Sequence, residues 1–156
     1  MKGQPEVLKE LNAALHAELT AIVEYTVQAE MCQNWGYARL GDDLKKQAID
    51  EMRHAESVIE RICFLEGVPA VEVGLQPKIS GDVKAMLEDN LALEKGAVRQ
   101  YNGAVMVCTK NGDAGTREMF EHLIKDEEGH ADHREGQLHG IGEMGIANWL
   151  AQQMKQ

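Results

Sequence analysis

Aromatic residues, proline, cysteine and positive charge are all scarce in this 156-residue sequence, and each shortage narrows the class of protein. Aromatic side chains make up 4% of the residues and proline occurs three times, whereas Ala, Leu, Glu, Gln, Lys and Met abound, which favours helix. Acidic side chains outnumber basic ones and give a net charge of −10, which argues against a nucleic-acid partner. An acidic surface attracts cations, metal ions among them, but it also serves solubility alone, so the charge does not decide between these roles.

The three cysteines, Cys32, Cys63 and Cys108, are too few and too scattered for a disulfide framework or a zinc knuckle. No Cys-x-x-Cys pair occurs, and the count is odd. Each cysteine lies in an apolar helical context, where a free thiol behaves as a small hydrophobic group. We therefore predict three unpaired core cysteines.

Long apolar runs are also missing. The polar start, Met1-Lys2-Gly3, lacks the hydrophobic segment of a signal peptide, and no stretch approaches the ~18 apolar residues of a membrane span. These features predict a cytoplasmic protein without a membrane partner.

What the sequence does contain is helical periodicity in four long segments and one short one. Their predicted bounds are about 5–34, 37–66, 82–110, 113–139 and 146–154. Residues 67–80 contain two prolines and are long enough, at about 3.3 Å per extended residue, to run the length of a helix. Two helix hairpins joined by one such crossover are typical of ferritin-like bundles. We predict one all-α domain over residues 1–156, a four-helix bundle with one long crossover and a short fifth helix.

Each long helix carries a glutamate on its apolar seam, namely Glu18, Glu51, Glu94 and Glu127. A carboxylate is almost never fully buried unless it is paired or bound to a metal ion. One such residue could be a register error, but four near the middle of their helices require an explanation.

The spacing of two histidines supplies that explanation. Glu51-x-x-His54 and Glu127-x-x-His130 each place a carboxylate and an imidazole on one helix face. Glu18 precedes Glu51 by 33 residues, and Glu94 precedes Glu127 by 33 residues. The two hairpins thus carry matching ligand sets, whereas a single motif of this kind is more often a solvated ion pair.

Four carboxylates and two imidazoles suit iron or manganese, because oxygen and nitrogen ligands favour these metals and no thiolate is present. Four negative charges balance two divalent ions, and bridging carboxylates hold two metals roughly 3.5–4 Å apart. This inventory is that of the di-iron and di-manganese carboxylate bundles. We therefore predict a dinuclear site, with iron as the expected metal.

Three further seam or surface residues are candidates near this site. Tyr25 lies two turns after Glu18, where it could hydrogen-bond a ligand, donate an electron, or fill the core. Arg134 lies on the seam and is interpreted as the partner of a buried acid. Met52 points about 130° away from the mean direction of its neighbours Glu51 and His54, towards the outside of the bundle, where it suits a packing interface or an axial haem position.

The sequence resembles the bacterioferritin family over nearly its whole length. The matching segments are Met1-Lys2-Gly3, Glu51-Met52-Arg53-His54-Ala55, Phe64-Leu65-Glu66-Gly67, Asp126-Glu127-Glu128-Gly129-His130 and Asn148-Trp149-Leu150. Two departures are Lys46, where the family often has histidine, and Val58, where tyrosine is frequent.

The resemblance implies iron storage, with oxidation of Fe(II) by oxygen or peroxide at a ferroxidase site. The implied iron ligands are Glu18, Glu51, His54, Glu94, Glu127 and His130. Among these ligands, Glu51 and Glu127 bridge the two irons. The resemblance also implies that Met52 from each of two subunits ligates a haem b, and that a small ferredoxin supplies electrons through it. Twenty-four subunits would form a hollow shell, with the fifth helix at the fourfold axes.

Two other functions remain open from the sequence. A rubrerythrin-like peroxidase would keep the di-iron site without storing iron, although the Cys-rich module that such proteins often carry is absent. A structural subunit of a mixed shell would not need the complete ligand set. The oxidant, and the choice between a stable cofactor and a transit pore for iron, are not determined by the sequence.

Overall fold

The computed structural model describes residues 1–71 and 74–154 and consists of five helices. These are α1 (Pro5–Asn34), α2 (Ala38–Phe64), α3 (Val83–Lys110), α4 (Ala114–Met144) and α5 (Ile146–Ala151). No strand occurs in the described part of the chain. The prediction of an all-α fold with four long helices and one short one is confirmed. Residues 72–73 of the predicted crossover and the last two residues lie outside the described ranges.

Local signals explain where the helices begin and end. Pro5 occupies the first turn of α1, where its missing N–H costs no hydrogen bond. The Asp82 and Asp113 side chains cap α3 and α4 by accepting hydrogen bonds from the backbone amides of Ala85 and Thr116, each at 3.0 Å. Gly145 ends α4 with φ at +77°, a conformation that residues with a Cβ rarely adopt.

The helices pack as two hairpins, α1 with α2 and α3 with α4, and α1 also contacts α3. The segment between α2 and α3 runs along α1. Its Ala70 amide donates a hydrogen bond to Asn12 Oδ1 at 2.8 Å, and its Gly74 carbonyl oxygen lies 3.3 Å from His16 Nε2. These contacts are those of the predicted crossover, because they carry the chain along the bundle instead of reversing it.

Two hydrophobic clusters fill the bundle, one on each side of the seam glutamates. One cluster includes Leu11, Ile62 and Phe120, and the other includes Leu44 and Leu87, all fully or almost fully buried. The glutamates lie between the two clusters along every helix. The layer of glutamates in the middle of the bundle is therefore covered by one apolar cluster on each side along the bundle axis.

Two sequence predictions are wrong in detail. Helix α4 does not end near His139 but continues to Met144, because Trp149 of α5 packs against the open face of Gly140 and supports the last turns. Cys63 is exposed, whereas Cys32 and Cys108 are buried as predicted. Position 63 falls on the outer face of α2, which the apolar character of its neighbours did not reveal. Over the described residues, no helix combines the length and apolar character needed to cross a bilayer.

Candidate metal centre

The four seam glutamates meet in the middle of the bundle, one from each long helix. Glu18, Glu51, Glu94 and Glu127 are each no more than 2% exposed. Four carboxylates at this burial would repel one another strongly if all were charged and none were paired. The arrangement is therefore stable only if cations or protons neutralise it.

The glutamates and two histidines form two groups of four potential ligands. In each group, one ligand atom per residue lies within 4.8 Å of all the others. The groups are Glu18, Glu51, His54 and Glu127, and Glu51, Glu94, Glu127 and His130. Glu51 and Glu127 belong to both groups. This sharing is the geometry that two adjacent metal ions with two bridging carboxylates require.

His54 faces the first group through its Nδ1 atom. This nitrogen lies 2.8 Å from Glu127 Oε1, 3.0 Å from Glu51 Oε2 and 3.6 Å from Glu18 Oε2. The equivalent nitrogen of His130 faces the second group, 3.1 Å from Glu51 Oε1 and 3.7 Å from Glu94 Oε2. The two imidazole rings stack at 6.0 Å between centroids. Each group of potential ligands therefore contains one imidazole nitrogen, that of His54 or that of His130.

Protonation offsets the repulsion among the buried carboxylates. Burial raises the pKa of Glu18 to about 8 and that of Glu127 to about 10. Burial acts in the same direction on Glu51, but hydrogen bonds from His130 and His54 outweigh it and hold its pKa well below the ordinary value. Burial lowers the pKa of His130, yet hydrogen bonds to Glu127, Glu51 and Glu94 outweigh it and raise that pKa to about 12. Protons on the carboxyl and imidazole groups therefore offset part of the negative charge of the cluster.

The unpaired atoms show that the residues fit metal ions. Of the eleven buried side-chain nitrogen and oxygen atoms that lack a well-aligned hydrogen bond among the described residues, four are in the site: Glu18 Oε2, Glu94 Oε2, Glu127 Oε1 and His130 Nδ1. Their contacts of 2.8–3.7 Å are with other members of the cluster. These atoms all belong to the two ligand groups and face their centres. Buried polar atoms are normally satisfied, so unsatisfied lone pairs that converge on one point indicate a cation site. Carboxylate and imidazole donors without thiolate suit iron or manganese.

An aspartate supports the outer nitrogen of each histidine from the opposite hairpin. His54 Nε2 lies 3.0 Å from Asp126 Oδ2, and His130 Nε2 lies 3.7 Å from Asp50 Oδ2. A carboxylate at this position orients an imidazole and makes it a stronger ligand. Sequence analysis did not assign this role, although an aspartate directly precedes the glutamate in both Glu-x-x-His motifs.

Two tyrosines hold the unshared glutamates, each from the opposite hairpin. The Tyr25 hydroxyl donates a hydrogen bond to Glu94 Oε1, and the Tyr101 hydroxyl donates one to Glu18 Oε1 at 2.5 Å. Sequence analysis singled out Tyr25 but not Tyr101. The signal was available, because each tyrosine follows a seam glutamate by seven residues. The hydrogen-bonding role of Tyr25 fits this geometry, and a redox role for it stays a prediction.

The site is accessible from two sides of the bundle. A cavity of about 290 Å³ between α1 and α3 reaches Glu18 and Glu94. A cavity of about 500 Å³ between α2 and α4 reaches His54 and His130 and is lined by Asp126. Small ions and oxidants can therefore approach the ligands without unfolding of the bundle.

The two remaining candidates lie outside the ligand groups. Met52 is on the surface of α2, 44% exposed, and Ile49 one turn earlier is also exposed. Arg134 is fully buried, and its Nη1 donates a hydrogen bond to Asp43 Oδ2 at 2.6 Å. Burial raises the pKa of the Asp43 carboxyl, but the guanidinium outweighs this and holds it below the ordinary value. Arg134 thus pairs with an acid as predicted, but the Asp43 side chain is 30% exposed and not buried.

Comparison with known proteins agrees with the fold. A family model described as a ferritin-like domain matches residues 8–144, so a ferritin-like protein is the class that fold and site define. The chain is 36% identical to a bacterioferritin of Mycolicibacterium paratuberculosis over 97% of its own length and 96% of the relative. It is 38% identical to a bacterioferritin of Brucella melitensis over 93% and 90% of the two chains, and 41% identical to one of Rhodobacter capsulatus over 88% and 86%. The chain belongs to the bacterioferritin family.

Proposed function

We propose that this protein oxidises Fe(II) at the centre formed by Glu18, Glu51, His54, Glu94, Glu127 and His130, and stores the ferric product inside an oligomeric shell. The observation that carries the proposal is the pair of four-ligand groups that share Glu51 and Glu127. One shared pair of carboxylates can bind two Fe(II) ions side by side, so that two electrons are available together.

The chain's own residues prepare the site for this substrate. Glu18 and His54 ligate one ion, Glu94 and His130 ligate the other, and Glu51 and Glu127 bridge them. Two Fe(II) ions give up two electrons, which with two protons reduce oxygen to hydrogen peroxide, or peroxide to water. The protons that the carboxyl and imidazole groups hold in the absence of metal leave as Fe(II) binds.

Storage requires a shell, and the family supports one. The relatives described above are named bacterioferritin, and the described residues of this chain cover nearly their whole length. We propose a homo-oligomer of twenty-four subunits built from twofold dimers, with α5 at the fourfold axes. A small ferredoxin would reduce the stored mineral for release.

Met52 is proposed as the axial ligand of a haem b shared by two subunits across the twofold axis. Its thioether is exposed on α2 and faces away from the ligand groups. Ile49, one turn earlier on the same helix, adds a second exposed apolar side chain. A symmetric pair of such faces would enclose an apolar macrocycle and present one sulfur atom to each side of its iron.

Replacing Met52 by leucine is expected to remove the haem without reducing iron uptake. Leucine keeps the apolar volume but has no sulfur lone pair, so the haem iron loses both axial ligands in the symmetric pair. Haem content would be measured from the visible absorption of protein expressed with excess haem. Met106→Leu is the matched control, because Met106 is another exposed methionine, 74% exposed, on α3. Equal haem content in both variants would contradict the assignment of Met52.

Gel filtration after aerobic loading with Fe(II) tests the storage function. We expect iron far in excess of the two ions per subunit of the site to elute with a very large particle. A rubrerythrin-like peroxidase would instead elute as a small oligomer that retains only the iron of its ligand groups. A structural shell subunit would form the particle but would not accelerate iron oxidation.

A further inference from the structure

The two helix hairpins repeat one another with a constant offset of 76 residues (94 minus 18, and 127 minus 51). The same offset relates the two histidines of the site, the two aspartates behind them and the two tyrosines. The tyrosine contacts are also reciprocal, since each hydroxyl binds the unshared glutamate of the other hairpin. The ligands therefore have approximate twofold symmetry.

The symmetry breaks at two buried positions beside the ligands. Gln47 on α2 corresponds to Leu123 on α4, and Arg134 on α4 corresponds to Val58 on α2. All four side chains are no more than 5% exposed. One half of the site thus has an amide and a guanidinium where the other half has two aliphatic side chains.

The polar pair forms a chain of hydrogen bonds that ends on Glu94. Gln47 Nε2 donates to Glu94 Oε1 at 2.8 Å and makes a longer contact of 3.3 Å with Oε1 of the shared Glu51. Gln47 Oε1 accepts from Arg134 Nη2 at 2.6 Å. Arg134 is held in turn by Asp43 Oδ2 and Gln137 Oε1, each at 2.6 Å from its Nη1. Each side chain of this hydrogen-bond network is thus held by the next one, from Asp43 inward to Glu94.

The two unshared glutamates consequently differ in support. Glu94 Oε1 accepts hydrogen bonds from both Tyr25 and Gln47, which leaves Oε2 free to face the ligand group. Outside the ligand groups, the described residues provide Glu18 with a single donor, the Tyr101 hydroxyl. Orienting a flexible glutamate side chain costs conformational entropy, so the carboxylate that is already oriented binds a cation with less loss.

We infer that Gln47, oriented by Arg134, is a positioning residue that makes the two metal positions unequal, with the tighter one at Glu94 and His130. This inference rests on the proposed metal centre. The positive charge of Arg134 does not oppose it, because Asp43 lies at 2.6 Å and compensates that charge. Iron occupies the Glu94–His130 position first and exchanges more readily at the Glu18–His54 position.

Anaerobic titration with Co(II), followed by visible absorption, tests the inference without iron oxidation. Glu18→Ala leaves the Glu94–His130 position, and Glu94→Ala leaves the Glu18–His54 position. We expect the Glu18→Ala protein to bind its single Co(II) more tightly. Adding Gln47→Leu, which copies the residue of the other hairpin, should weaken Co(II) binding by about 10–100-fold in the Glu18→Ala protein. The loss should be much smaller in the Glu94→Ala protein, where Gln47 acts only through its longer contact with Glu51.

Leu123→Ala is the matched control, since it alters the equivalent buried position of the other hairpin. It should leave Co(II) affinity in the Glu18→Ala protein unchanged. Should Gln47→Leu impair folding, Gln47→Met keeps the length of the side chain, lacks the donor and should weaken binding equally. The inference is overturned if Co(II) affinity falls equally in both backgrounds or in neither. Wild-type protein that binds no Co(II) would overturn the proposed function as well.

Discussion

Glu127→Gln is expected to reduce the rate of Fe(II) oxidation by about 10²–10³-fold, because the loss of several kcal/mol of metal stabilisation corresponds to such factors. Glu127 belongs to both four-ligand groups, so its replacement weakens both metal positions. Glu18→Ala and Glu94→Ala each remove a ligand from one position only. Their effects should be smaller, but undiminished oxidation in either would contradict the ligand assignment.

The same substitution should not destabilise the metal-free protein. Burial raises the pKa of Glu127 to about 10, so its carboxyl is already neutral at pH 7 when no metal is bound. A glutamine replaces this neutral group with one of nearly the same shape. We expect the free energy of unfolding of the metal-free variant to equal or exceed that of the wild type, a trade of stability for function that is common at active sites.

Stopped-flow absorption of the ferric product and chemical denaturation of the metal-free proteins would measure the two effects. Glu128→Gln is the matched control, because Glu128 is the next residue of α4 and is exposed. It should match the wild type in both measurements. Loss of oxidation in Glu128→Gln as well would indicate an effect of net charge instead of ligation.

Zinc is expected to raise the midpoint of thermal unfolding of the metal-free protein. This increase should exceed the decrease caused by any single substitution proposed above. Zn(II) accepts oxygen and nitrogen ligands and has no redox chemistry, so binding is separated from oxidation. When the free zinc concentration is a thousandfold above the dissociation constant of a site, binding there adds about 4 kcal/mol to the free energy of unfolding. For a chain of this size, each kcal/mol of added stability raises the midpoint of thermal unfolding by about 2–4 °C.

Differential scanning calorimetry on the intact oligomer would measure this shift with and without zinc. Glu127→Gln should lose most of the shift, whereas Glu128→Gln should retain it. The shift should shrink as the pH falls, because protons compete with the metal for the same carboxylate and imidazole atoms. A shift of wild-type size in Glu127→Gln would show that zinc stabilises the protein at another place.

Helix periodicity is local, and this is why the sequence alone predicted so much of this protein. The seam positions of Glu18, Glu51, Glu94 and Glu127 follow from counting along each helix, and all four are buried as predicted. The positions of His54 and His130 follow from the same count, since residues three apart share a helix face. Family membership, which the resemblance of whole segments predicted, is confirmed by the relatives.

Features that depend on how one hairpin faces the other could not be read from the sequence. The end of α4 is one example, since Trp149 of the next helix packs on the open face of Gly140, a contact that the local sequence does not show. The exposure of Cys63 is a different case, because it could have been read from the sequence: Cys63 lies about 120° around α2 from the buried Glu51. The prediction of burial relied on its apolar neighbours instead of its helix face.

The contacts around the metal centre also depend on how one hairpin faces the other. Periodicity along each helix predicted the six candidate ligands and the outward direction of Met52. The packing of α1 and α2 on α3 and α4 decided that Tyr101 reaches Glu18, that Asp126 supports His54, and that Gln47 connects Glu94 to Arg134. These contacts join residues 47 to 87 positions apart, and the relative height and rotation of the two hairpins bring them together. That relation is a property of tertiary packing, which no local pattern encodes.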